Sequence, residues 1–169
     1  FASRFCVYGK ATAERVPELI SITQDALLKV NLGNRERFKQ VVLESKSGLE
    51  RQIIGSGHSF VQARLASHFD VGGWAGETMG GVSQLFFLRE LADRIEKNWS
   101  SVQADLEEFQ SLVLNRTNLI LDICAPEKNW GGVRGQTSDL IGKLKVIVPE
   151  RQPWQREDRS AHEALLAPS

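Results

Sequence analysis

Asn34-Arg-Glu-Arg-Phe38 opens a run that passes through Val41-Val42, Leu49 and Ile53-Ile-Gly-Ser-Gly-His58 and ends near Ala66. Apolar Phe38, Val41, Val42, Leu49, Ile53 and Ile54 recur at helical intervals among Arg37, Lys39 and Glu44, with Asn34 placed as an N-cap. A helix from Asn34 to Ala66 would be about 50 Å long at about 1.5 Å per residue. Gly48, Gly55 and Gly57 interrupt it, each costing about 1 kcal/mol relative to alanine in a helix interior. The sequence therefore predicts a long helix with a bend, or close backbone packing, at Gly55-Ser56-Gly57.

Working outward from this helix, Pro17 marks a helix start, and Leu19, Ile20, Ile22, Ala26, Leu27 and Val30 carry its apolar face, with Gly33 as a stop. Downstream, Asp70 to Gly81 holds five glycines and reads as a loop that runs close to other backbone. A further helix fits Val82 to Lys97 through Leu85, Phe86, Leu88, Leu91, Ala92 and Ile95. Ser100-Ser101 before Val102 begins another, and Asn115 to Asn118 turns the chain.

Two short runs read as strands. Ser3 to Lys10 contains Phe5-Cys-Val-Tyr8, and Leu119-Ile-Leu-Asp-Ile-Cys124 is stopped by Pro126. Glu127 to Gly135 is glycine-rich and ambiguous, whereas Ser138 to Val148 fits a helix or, through Leu144-Lys-Val-Ile-Val148, a strand; helix is the reading adopted. Pro153, Pro168 and the Arg156-Glu-Asp-Arg159 cluster give Arg151 to Ser169 the composition of a linker. The expected architecture is α+β, a helix-rich segment packed on a small sheet. Residues 1–149 form a partial α/β domain and 150–169 a linker toward a further domain. Because the chain opens directly into a strand-like run and its only methionine is Met79, it reads as a piece of something longer.

Composition narrows the function. Lys+Arg and Asp+Glu both number 21, so there is no net positive charge for phosphates or anionic headgroups, and neither nucleic acid nor a membrane is expected as partner. Cys6 and Cys124 sit in the strand-like runs and are expected as buried free thiols rather than a disulfide. Asn98-Trp-Ser100 and Asn115-Arg-Thr117 match the glycosylation pattern, a short pattern that arises often by chance.

Chemistry-bearing residues are few. Neither H-E-x-x-H nor H-x-x-E-H occurs, and Leu166 stands where the second histidine after His162-Glu163 would be. His58 and His68 lie ten residues apart, about 15 Å along a helix, too far to share one ion. Gly55-Ser-Gly-His58 lacks the third glycine and the preceding strand of a dinucleotide loop, and Ser56 with His58 lacks a nucleophile elbow. Asp105, Glu107 and Glu108 fall in the polar phase of an amphipathic helix and read as a solvated face. No catalytic, cofactor-binding or metal-ligating residue is assigned.

Arg37-Phe-Lys-Gln40, Ile53-Ile-Gly-Ser-Gly-His58, Ala63-Arg-Leu-Ala-Ser-His-Phe69, Gly73-Trp74, Glu77-Thr-Met-Gly-Gly81, Ser83 and Phe87-Leu-Arg-Glu-Leu91 together resemble the presequence protease family of the pitrilysin superfamily, with falcilysin-like enzymes as neighbours. The resemblance runs from Phe5 to about Asn129. At Gly131, Gly132 and Gly135 the sequence departs from the more regular helix of that family, so a shorter or displaced last helix is expected.

The resemblance implies a zinc metalloendopeptidase of two related halves closing around a chamber, in the mitochondrial matrix or chloroplast stroma, degrading short unfolded peptides such as cleaved presequences. It places this chain early in the second half, which carries no metal ligand. Zinc belongs to the N-terminal catalytic half, and that half, a final domain and unfolded peptide are the partners implied. The rival reading is a catalytically inactive relative kept as a structural or assembly subunit, distinguished by whether the full-length protein carries H-x-x-E-H.

Overall fold

Six α-helices occupy most of residues 4–148, the part of the chain described by the computed structural model: α1 (Val16–Leu28), α2 (Arg35–Ala66), α3 (Val71–Gly80), α4 (Val82–Lys97), α5 (Trp99–Val113) and α6 (Trp130–Gly142). Short 3-10 turns precede α1 and α6 and follow α5. The chain divides into two compact units, the first containing Gly33–Val102 and the second Arg4–Leu32 with Gln103–Val148 among the described residues.

In the first unit α2 and α4 run antiparallel. At the start of α2, Arg35 donates from Nε to the Ile95 carbonyl (3.1 Å) and pairs with Glu96 (2.7 Å). This caps the C-terminal carbonyls of α4 with a cation, the sign the helix dipole favours there. Farther along, Glu50 accepts from Arg89 at 2.9 and 3.2 Å. Between these ties the seam is apolar, with Val42, Ile53, Leu85, Leu88 and Ile95 buried. Phe38 meets Trp99 with ring centroids 5.9 Å apart, which seats the start of α5 beside the first turn of α2.

The helix from Asn34 stands as the periodicity predicts. Asn34 Oδ1 accepts from the Arg37 amide at 3.0 Å, an N-cap, and the helix ends at Ala66. It bends where the glycines interrupt it: Ser56 has φ −139° and ψ 36°, outside helical values. No close backbone contact explains Gly55 or Gly57, since a Cβ at either would meet nothing within 4 Å.

Asp70 to Gly81 is a helix, α3, and not the loop expected from its glycines. Asp70 caps it by accepting from the Gly73 amide at 2.8 Å, and Ala75 and Glu77 are buried. Burial of one face against α2 and α4 outweighs the glycine penalty of about 1 kcal/mol each. Close approach is nonetheless real at two of the glycines. A Cβ on Gly73 would lie 2.5 Å from the Ala66 carbonyl oxygen, and one on Gly81 2.6 Å from that of Glu77.

In the second unit α1 packs on α6, with Lys143 Nζ donating to Gln24 Oε1 (2.7 Å), and Gln110 of α5 donates to the Leu27 carbonyl (3.1 Å). Val133, Thr137 and Leu144 are buried. α6 continues through Gly131, Gly132 and Gly135, the stretch where a shortened helix was expected, and Ser138–Val148 is helical only to Gly142.

The α+β expectation fails: the described residues contain no strand and no sheet. Residues 4–10 and Leu119–Cys124 lie outside regular structure, and apolar side chains of the second run face solvent, Ile120 at 72% exposure. β-propensity becomes a strand only where a neighbour completes the ladder. Here the pairing found is one parallel bridge, Asn115 with Lys145, through the Arg116 amide and the Lys145 carbonyl (2.9 Å). For the same reason Cys6 and Cys124, free as expected, are exposed rather than buried in strands. The linker reading of residues 150–169 falls outside the described residues.

Two neighbouring glycines separate close approach from mere composition. Gly81→Ala should destabilise the fold by about 1–3 kcal/mol, the usual cost of forcing volume into packed structure. Gly80→Ala, where a Cβ meets nothing within 4 Å, should leave stability unchanged or raise it by up to about 1 kcal/mol. Urea unfolding of the two variants checks the contrast.

Candidate functional site

A carboxylate inside a helical unit requires a partner, and Glu77 of α3 has several. Its residue is 1% exposed, and Oε1 accepts from the Ser83 backbone amide (3.0 Å) and faces Arg64 Nη1 at 3.1 Å. The same guanidinium nitrogen donates to Ser83 Oγ (3.0 Å). Each group is placed by its element: Arg64 by the last turn of α2, Glu77 by α3, and Ser83 by the first turn of α4, where a free amide awaits an acceptor. Negative charge at that helix start is also favoured by the dipole. The ring closes at Gly81, where a Cβ would lie 2.7 Å from Glu77 Cγ and 2.9 Å from Oε1. Nearby, Ser67 Oγ donates to the Arg64 carbonyl (2.6 Å) and is itself buried.

This node contains no nucleophile with a neighbouring base. Its chemistry is positional: it fixes where α2, α3 and α4 meet. In the sequence, Arg64, Glu77 and Ser83 stand out only as members of the stretches of resemblance. The signal that could have found them was a charged residue in the otherwise apolar and small Gly72-to-Gly81 segment, opposite a cation in α2.

A second cluster lies at the other end of the seam, where Glu96 takes both Arg35 and Lys39. Its carboxyl is held below the ordinary carboxylate range, first by the hydrogen bond from Lys39, with partial desolvation opposing, and then by the charges of Lys39 and Arg35. The cluster is open to solvent, so it registers the helices more than it stabilises them.

The remaining sequence candidates stay apart. His58 is exposed just beyond the bend and His68 is half-buried past the end of α2; His162 lies outside the described residues. Among the described residues no three His, Cys, Asp or Glu side chains are gathered as a metal ion would need. Asp105, Glu107 and Glu108 do not gather into a site, and Glu107 accepts from Gln103 (2.9 Å) on an exposed face. No helix of the described residues is long and apolar enough to cross a membrane.

Asn115-Arg-Thr117 has a structural use. Asn115 is 1% exposed; its Nδ2 donates to the Ile147 carbonyl (2.5 Å), and its Oδ1 accepts from the Ile147 amide (3.1 Å) and the Thr117 amide (3.1 Å). The amide nitrogen a glycan would need is committed and enclosed. Asn98 instead caps α5 through the Ser101 amide (3.3 Å).

The helices carrying the buried node lie within the stretch that can be compared with known proteins. A family model for the segment associated with the subfamily C peptidases of family M16 matches residues 1–91, more than half of the chain. The chain belongs to that peptidase-associated family. The match takes in α1, α2, α3 and most of α4, including all three residues of the Arg64–Glu77–Ser83 node. Among its relatives, presequence protease 1, chloroplastic/mitochondrial, of Arabidopsis thaliana is 29% identical over 99% of this chain and 16% of its own length. The mitochondrial presequence protease of Yarrowia lipolytica is 28% identical over 73% of this chain and 12% of its own length. That of Gibberella zeae is 25% identical over 80% of this chain and 14% of its own length. The resemblance to presequence proteases is thereby borne out, and the chain spans at most 16% of the length of these relatives.

Two charge-removing variants should differ in cost. Arg64→Met leaves the Glu77 carboxylate enclosed without its cation and should cost about 2–4 kcal/mol, toward the range for broken buried pairs. Arg35→Met, at a half-exposed pair, should cost under about 1 kcal/mol. Thermal unfolding of both decides the order.

Glu96 gives a pH prediction. Because its folded pKa is lowered, its contribution is fully present above the unfolded value of about 4.3 and is lost as pH falls through the folded pKa. Lys39→Met should move the Glu96 midpoint upward in an NMR titration.

Proposed function

We propose that this chain is a non-catalytic segment of an organellar zinc metalloendopeptidase that degrades short unfolded peptides, such as cleaved targeting presequences. Its role is to supply wall and closure surface to a chamber formed with the rest of the enzyme. The observation that carries this reading is the match over 99% of the chain to a plant presequence protease, together with the peptidase-associated family match at residues 1–91. The names of the relatives place those proteins in mitochondria or chloroplasts and support the same placement here by resemblance.

Zinc, which the resemblance implies, does not fit the described residues. His58 and His68 are separated by about 15 Å of helix, and no third ligand joins either. In this reading the metal is held by the N-terminal half of the whole enzyme, and this chain belongs early in the second half. The N-terminal half and a final domain are then its partners, with unfolded peptide as substrate. What this chain contributes is a helical scaffold, α2 against α4, whose surface the substrate chamber can use.

The test is a reconstitution. The purified 169-residue chain should bind no stoichiometric zinc and leave an unstructured presequence peptide intact. Chelator-sensitive cleavage should appear when the remaining parts of the full-length enzyme are added. Stoichiometric zinc on the chain alone, or cleavage by it, would overturn the assignment; so would a full-length protein without H-x-x-E-H.

A further inference from the structure

Residues 58–79, the second half of α2 with α3, form a hairpin joined to the rest of the first unit at two places in the chain. One crossing is Gly55-Ser56-Gly57 and the other is Gly80-Gly81. Ser56 leaves helical geometry at the first, and Gly81 (φ −102°, ψ −152°) is extended at the second. At Gly55, Gly57 and Gly80 a Cβ would meet nothing within 4 Å, so packing does not require these glycines. What they supply is backbone freedom, at both crossings.

The hairpin is tied within itself. The Gly73 amide donates to Asp70 Oδ1 (2.8 Å), the Phe69 amide to the Ala66 carbonyl (3.0 Å), and the backbones of Gly73 and Ala66 are in contact. Its hold on the rest is thin in apolar terms. Ala75 is its only buried hydrophobic residue, whereas Val61, Leu65, Phe69 and Met79 are 54–74% exposed. The larger buried side chains, Val42, Ile53, Leu85, Leu88 and Ile95, all belong to the other side of the crossings. A segment with few buried apolar contacts opens at lower free energy than its neighbours. Polar contacts supply a specific closure: Glu77 receives the Ser83 amide and Arg64 donates to Ser83 Oγ, so two hairpin side chains grip the first turn of α4.

We propose that residues 58–79 are a hinged lobe that swings as one body about the Gly55–Gly57 and Gly80–Gly81 joints and is latched shut by Glu77 and Arg64 on Ser83. The stretches Ile53–His58 and Glu77–Ser83, two of those that carry the family resemblance, are then the two joints and the latch. Within the proposed enzyme the lobe is a movable piece of wall. The swing itself requires no peptidase activity, and its test is independent of that reading.

Hydrogen exchange of the 169-residue chain, read residue by residue, tests it. Amides of residues 58–79 should exchange together, at least about ten-fold faster than those of 36–54 and 84–96. Gly55→Ala with Gly57→Ala, both in open space, should slow the lobe selectively by a factor of about ten to thirty, the combined helix preference of two alanines. Glu77→Gln keeps size and an acceptor for Ser83 but removes the charge facing Arg64, and should speed lobe exchange about ten-fold with 36–54 unchanged. One common exchange rate for lobe and scaffold would overturn the proposal. So would an alanine pair without selective effect, or a Glu77→Gln that speeds the whole unit equally. If Glu77→Gln does not fold, the first two measurements decide.

Discussion

α2 is twice the length of the helix it lies along. Its 32 residues extend about 48 Å, and the 16 of α4 about 24 Å, so α4 alone cannot cover it. The first half of α2 finds its apolar partners in Leu85, Leu88 and Ile95, but the second half runs on past the start of α4 and must be met by something else. α3 is that element. The bend at Ser56, the tight turn at Ser67 to Asp70 and the return of α3 all follow from this mismatch of lengths.

The corner where the three helices meet is held by charge. An apolar corner would need bulky side chains, and the glycines of α3 provide none. Glu77 instead reaches the free amide of Ser83 and the guanidinium of Arg64. A buried pair of this kind adds little net stability but makes any other arrangement expensive, because either charge left alone in the interior is strongly unfavourable. Its effect is to specify how α3 meets α4. The same geometry leaves the segment from His58 to Met79 attached through polar contacts and glycine joints rather than through a large apolar interface.

That division bears on what a segment without its own chemistry contributes to a peptidase. Catalysis in a chamber depends on positioning and on enclosure as much as on the reacting groups. A rigid seam, α2 with α4, beside a lightly held hairpin offers both a frame and a part that can give way.

The sequence by itself determined α2, with its Asn34 cap and its bend, and α4 from Val82 to Lys97, because capping and 3.6-residue periodicity are local properties of the chain. It also determined the family, through short runs that lie on α2, α3 and α4. Only the tertiary structure decided that Asp70 to Gly81 is helical, since its helix forms by burial of Ala75 and Glu77 against neighbouring helices. Leu119–Cys124 shows the converse. Its β-branched and apolar residues have strand propensity, but a strand exists only with a partner, and among the described residues Asn115 and Lys145 make one bridge and nothing extends it. The Arg64–Glu77–Ser83 node was invisible for the same reason: three residues spread over twenty positions become a site only when two turns of chain bring them within about 3 Å of one another.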